Sequence, residues 1–215
     1  MISGRRPLRS RETRWASQLS RVLVRSGVRP NQVSALSVVF AAVAAVSLVR
    51  IGGEGTRVWL WSLLAAAGIQ LRLLCNLMDG MLAVEGGLKT ANGDLYNEFP
   101  DRLSDPLILA ALGFAGGDEL SRNLGWLCAV GALLTAAVRL HGASLTGRHD
   151  FCGPMAKPHR MALATAACLL LFTLDLTRST WEVLPWVLGM MAVGIVITVV
   201  RRLLRLSRSL CERSS

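Results

Sequence analysis

Between Asn76 and Asp105 an otherwise oily chain turns acidic, with Asp79, Glu85, Asp94, Glu98, Asp101 and Asp105 falling between two long apolar segments. Ionisable groups at the edge of a bilayer are costly and are kept where they do work. Residues three or four apart share a helix face, so Asn76 and Asp79 point one way, as do Asp94, Asn97 and Asp101. Two helices so arranged present oxygen ligands to one another. Carboxylate and amide oxygens are what hard divalent cations such as Mg2+ and Mn2+ take, which suits the stretch to one or two such ions. Gly80 and Gly93 have no side chain at the same level, so a phosphate or nucleotide could approach the backbone closely. The other reading is a polar patch that joins helices. Four acids along one side of a span, Asp94, Glu98, Asp101 and Asp105, exceed what helix association needs.

The elements that must position these residues are membrane helices. With 52% hydrophobic residues and a mean hydropathy of +0.45, the chain lies outside the usual soluble class. The expected fold is all-α and integral to a membrane: a basic segment over 1–31 with an amphipathic interfacial helix, six transmembrane helices over 32–206, and a basic tail over 207–215. In the first segment Trp15, Leu19, Val22 and Leu23 recur at spacings of three and four while Arg14, Arg21 and Arg25 lie elsewhere, the pattern of a helix in the headgroup layer. A solvated basic tail is the alternative. Pro30 and Asn31 should stop that helix, and spans are expected at about 32–51, 58–83, 95–116, 124–145, 159–176 and 181–206. The acidic ends of the second and third spans then face each other across 84–92. With both termini inside, 19 of the 24 Lys and Arg fall on the inner side, which places the site in the cytoplasm, at a cytoplasmic (inner) membrane.

The net charge of +10 implies a bilayer surface and not nucleic acid, because the arginines flank apolar spans without the interleaved aromatics that stack bases. The five cysteines show no C-x-x-C spacing and read as apolar fillers.

The acidic stretch resembles the signature of the CDP-alcohol phosphotransferases, D-x-x-D-G-x-x-A-R, eight residues, then G-x-x-x-D-x-x-x-D. Here it reads N-L-M-D-G-M-L-A-V, the eight residues 85–92, and G-D-L-Y-N-E-F-P-D ending at Asp101. Every spacing is kept, and Asp79, Gly80, Ala83, Gly93 and Asp101 match. Asn76 and Asn97 stand where the family has aspartates, and Val84 where it has arginine. Arg29-Pro30-Asn31-Gln32-Val33-Ser34 is similar to the family's entry into its first span.

The resemblance implies six spans, a homodimer, and transfer of a phosphatidyl group from a CDP-linked donor, usually CDP-diacylglycerol, to an alcohol with release of CMP. It implies metal ligands at Asn76, Asp79, Asn97 and Asp101, a base at Asp101, and a cytidine pocket lined by Gly80, Ala83 and Gly93. Two asparagines reduce the four-position charge from minus four to minus two, leaving three outcomes: one ion instead of two, substitution by Glu98 or Asp94, or a non-catalytic binding or partner subunit. Lys89 or Arg102 could stand in for the missing arginine. A second basic group, Arg139, Arg148, Lys157 and Arg160, corresponds to the family's acceptor or lipid phosphate site, although positive-inside bias explains it equally. His141, His149 and His159 lack metal spacing and read as interfacial. Arg72, one turn before Asn76, should pair with an acid such as Asp105, in preference to touching a substrate phosphate.

Overall fold

The computed structural model describes residues 13–53, 55–85, 93–179 and 182–214, and among these it is all helical. The helices are α1 (Arg14–Arg25), α2 (Pro30–Ile51), α3 (Val58–Glu85), α4 (Gly93–Ala115), α5 (Glu119–Thr146), α6 (Lys157–Leu176) and α7 (Leu184–Ser214). Five of them, α2, α3, α5, α6 and α7, are long and apolar enough to cross a membrane. The 23 residues of α4 give about 34 Å of helix at 1.5 Å each, enough for a bilayer core, but Glu98, Asp101, Arg102 and Asp105 interrupt its apolar run.

Helix boundaries follow local chemistry. Pro30 does not lie between helices; it is the first residue of α2, where a missing N–H costs nothing, and the Arg29 N–H behind it donates to Gln32 Oε1 at 3.0 Å. α5 starts five residues before the expected 124 because Asp118 caps it, accepting from the Ser121 N–H at 2.8 Å. α7 runs on through Arg201, Arg202, Arg205 and Arg208 to Ser214, since no proline or glycine follows Gly194 to break it.

Neighbouring helices form a ring in the order α6, α3, α2, α4, α5, α7, closed by a lighter α6–α7 contact. Its interior is built from small and mid-sized residues, among them Ala41, Ala44, Leu48, Ala65, Ile69, Leu109, Cys128 and Ala164. Large apolar side chains point outward instead, such as Val39 and Val46 on α2, Val130 on α5 and Trp186 and Val193 on α7, as lipid-facing surfaces do. Small residues set the closest crossing: a Cβ on Gly125 of α5 would lie 2.7 Å from Gly113 Cα of α4, so only glycine fits.

α1 packs against α3 through Ala16, Leu19, Ser20 and Leu23, around Cys75, Met78, Met81 and Leu82, the segment that carries Asp79. Trp15 and Val22 sit on the outer edge of the same apolar arc and stay exposed. Cys75, Cys128 and Cys168 are buried fillers, whereas Cys152 is half-buried and Cys211 exposed.

Candidate functional site

Three helices meet where the acids of α3 and α4 lie. Asp79 is 3% exposed, and Ser34 Oγ on α2 donates to its Oδ2 at 2.7 Å. Its Oδ1 is buried with no hydrogen-bond partner among the described residues. A carboxylate oxygen in that position is costly to leave unmatched, and a cation in front of it removes the cost.

On α4, Asp101 collects partners from two other helices. Arg72 Nη2 donates to its Oδ1 at 2.8 Å and Asn76 Nδ2 to the same oxygen at 2.6 Å. Lys157, the first residue of α6, forms an ion pair with its Oδ2. Asp101 and Lys157 are both close enough to Asp79 for their charges to act on it. Asn76 and Asp79, one turn apart on α3, thus face Asp101 as the helical spacing predicts.

Beneath this layer Arg72 Nη2 reaches Asp105 Oδ1 at 2.6 Å, the pairing expected from its register. Asp105 Oδ2 also accepts from Arg160 Nη2 at 3.2 Å, and Arg160 Nη1 donates to the Met155 carbonyl at 2.8 Å and to Thr135 Oγ1 at 3.2 Å. Arg72 and Arg160 are buried, so these pairs hold α3, α4 and α6 together. Arg202 of α7 ties in the rim, donating to the carbonyls of Thr135 at 2.7 Å and Cys152 at 2.9 Å.

A second ion pair lies one turn before Asp101. Both Glu98 oxygens accept from Arg139 Nη2, at 2.9 and 2.7 Å, and Glu98 also pairs with Arg102. Arg102 is therefore committed to its own helix. The Arg139 guanidinium stacks 5.5 Å from the Phe151 ring and meets His149 Nδ1 at 3.3 Å. Burial first, and the Arg139 charge second, hold the His149 pKa below its usual 6.5.

Gly80 is buried on α3 directly after Asp79, while Ala83 and Gly93, the first residue of α4, are half-buried. The side chains of Asn97, Val84 and Asp94, and all of Lys89, lie outside the described residues, as do residues 86–92. Sequence reasoning missed Ser34 as the partner of Asp79, and Lys157 and Asn76 as partners of Asp101. A serine four residues into a span is an ordinary helix residue until its neighbour is known.

The donor set fits a hard divalent cation: Asp79 Oδ1 is unclaimed among the described residues, and Asn76 adds an amide oxygen. Among the described residues no group of three or more His, Cys, Asp and Glu side chains could hold a metal by itself. The ion would therefore complete its shell with substrate oxygens and water, as Mg2+ commonly does.

No protein-family model matches the chain, and no curated protein does. Solved structures do. Mycobacterium tuberculosis phosphatidylinositol phosphate synthase (PgsA1) with CDP-DAG bound is 20% identical with a TM-score of 0.69, covering 90% of this chain and 94% of that one. The same enzyme in complex with manganese and citrate aligns with a TM-score of 0.68 at 20% identity over 89% and 88%. Its apo form gives 0.65 at 21% over 86% and 93%. Alignment over nearly the whole length of both chains gives this chain the same fold as phosphatidylinositol phosphate synthase.

Proposed function

We propose that the chain is a membrane transferase that moves a phosphatidyl, or related phospho-alcohol, group from a CDP-linked donor to an alcohol and releases CMP. CDP-diacylglycerol is the donor the reading favours. The observation that carries it is the meeting of Asp79, Asn76 and Asp101 at the junction of α2, α3 and α4, at motif positions whose spacing is intact. A fold shared with an enzyme whose structure holds CDP-DAG supports it.

The acceptor hydroxyl attacks the phosphatidyl phosphorus, the bond from that phosphorus to the bridging oxygen breaks, and CMP leaves with the electron pair. Asp101, partly open with 17% of its side chain exposed, takes the hydroxyl proton. Asp79 and Asn76, with Asp101 and Asn97 at the other motif positions, would hold Mg2+ or Mn2+, which would offset negative charge on the pyrophosphate oxygens. Gly80, Ala83 and Gly93 line the cytidine side, where their small size leaves room beside α3 and α4. Arg139 and Lys157, both partly exposed, face a phosphate on the acceptor or lipid, and the buried Arg160 fixes Asp105 below them.

α4 is the remaining crossing of a six-span protein, its charges satisfied inside the ring. Positive-inside bias puts both termini and the site in the cytoplasm, at the inner membrane, and α1 lies in the headgroup layer with Trp15 outward. The working unit is a homodimer. Purified chain given CDP-diacylglycerol, Mg2+ or Mn2+ and a panel of alcohols should release CMP, and Asp101→Asn should abolish the release. No release with any acceptor would overturn the reading.

Asp101 has both oxygens taken by protein donors, and this favours one alternative, a binding or partner subunit that performs no transfer. That alternative requires Asn76→Asp with Asn97→Asp to create activity, whereas a transferase tuned to its asparagines loses activity on the same change.

A further inference from the structure

Three carboxylates sit at the junction of α3, α4 and α6, and three cations surround them, but the pairing is uneven. Asp105 has Arg72 and Arg160, and Asp101 has Arg72 and Lys157. Asp79, the one reached by no ion pair among the described residues, has a serine hydroxyl on one oxygen and nothing on the other. A buried carboxylate in an apolar bundle needs a counter-charge, and among the described residues Asp79 has none in direct contact.

At Asp101 the opposite holds. Asn76, where an aspartate would have offered a second anionic oxygen, instead spends its amide N–H on Asp101 Oδ1 at 2.6 Å. Lys157 takes Oδ2. A lysine is poorly placed as the first residue of a helix, where the dipole repels cations, and α6 has no side-chain cap to offset it. Its position is therefore accounted for by Asp101 and not by the helix it begins.

The geometry points to a site for one divalent cation, at Asp79 Oδ1, with the Lys157 ammonium on Asp101 filling the place a second cation would need. This deepens the reading above, since it rests on a metal serving the transfer, but it concerns ion count and not chemistry. A second ion beside Asp101 would have to displace Lys157 and lie close to Arg72, with one fewer carboxylate at position 76 to balance it. Arg72, Lys157 and Arg160 already balance Asp79, Asp101 and Asp105, so one divalent ion brings the cluster to a charge a substrate pyrophosphate can offset, while a second ion would double that excess.

Full-length chain in detergent, titrated with MnCl2 and followed by electron paramagnetic resonance, counts bound ions and shows whether two lie near enough to couple. Wild type should bind about one Mn2+ per chain with an uncoupled spectrum, and Asp79→Asn should bind none. Lys157→Met should admit a second, spin-coupled Mn2+, while Lys157→Arg, which keeps the ion pair, should stay at one. Two coupled ions in wild type, no ion in wild type, or Lys157→Met remaining at one would each overturn the proposal. The wild-type count and Lys157→Arg decide the matter even where Lys157→Met does not fold. CMP release measured on the same preparations separates the two claims: one ion without release breaks the transferase reading alone, and two coupled ions with release break this one alone.

Discussion

Arg72 is the side chain on which the site's geometry most depends, and its removal should be expensive in a way that its partners make calculable. It is fully buried, with one nitrogen, Nη2, shared between Asp101 at 2.8 Å and Asp105 at 2.6 Å. Arg72→Met keeps most of the volume and deletes the charge. Asp101 then retains Lys157 and Asn76, but Asp105 is left with Arg160 alone at 3.2 Å, the longest of its bonds. Removing one partner of a buried pair costs about 3–5 kcal/mol, and because Arg160 still compensates Asp105 the lower end, about 3 kcal/mol, applies. Asp105→Asn should cost less, since Arg72 keeps Asp101 and Arg160 keeps Thr135 and the Met155 carbonyl. The double variant removes Arg72 together with the Asp105 charge its loss leaves under-compensated, while Arg160 stays on Thr135 and the Met155 carbonyl as it does in Asp105→Asn, so the loss should fall short of the sum by about 1–3 kcal/mol. Reversible unfolding of the four proteins in detergent measures the cycle. Additive losses, or Asp105→Asn as harmful as Arg72→Met, would refute the view that Arg72 holds α3 to α4 through these two acids.

Ser34→Ala removes the side-chain hydrogen bond to Asp79 Oδ2 and should destabilise the chain by about 1–3 kcal/mol in the same assay; a change within about 0.5 kcal/mol would contradict the pairing. His149, held below pH 6.5 by burial and by Arg139, stays neutral in the folded chain while the unfolded chain takes up a proton as pH falls past 6.5. Stability should therefore be flat above that pH and decline below it, and His149→Gln should remove the decline; a thermal midpoint from pH 8 to pH 5 that falls equally in both would exclude His149 as its source. Gly113→Val, which sets a side chain against the α5 backbone within 2.6 Å, should separate α4 from α5 and lower both stability and CMP release.

The fold was largely legible because bilayer spans leave long apolar runs. The starts of α2, α3 and α6 fall within two residues of expectation, and the end of α2 at Ile51 and of α6 at Leu176 coincide with it. Where the reading slipped, local chemistry had outweighed hydropathy: Pro30 opens a helix, Asp118 caps α5 before its apolar run, and α7 carries its helix into arginines that no hydropathy window favours. The site was legible within each helix, where spacing puts Asn76 and Asp79 on one face. Of the contacts between helices, the Arg72–Asp105 pair was expected and the others were not. Ser34 to Asp79 joins residues 45 apart and Lys157 to Asp101 joins residues 56 apart, and only the order of helices around the ring brings them together.

The central claim is that the site at Asp79, Asn76 and Asp101 transfers the lipid's own phosphorus to an alcohol. CDP-diacylglycerol carrying 32P in the phosphate next to the lipid tests it most directly. With an accepted alcohol and Mg2+ or Mn2+, the label should appear in a new phospholipid while unlabelled CMP accumulates, and Asp101→Asn should leave the donor intact. Label in the nucleotide, or a donor untouched with every acceptor offered, would contradict the account.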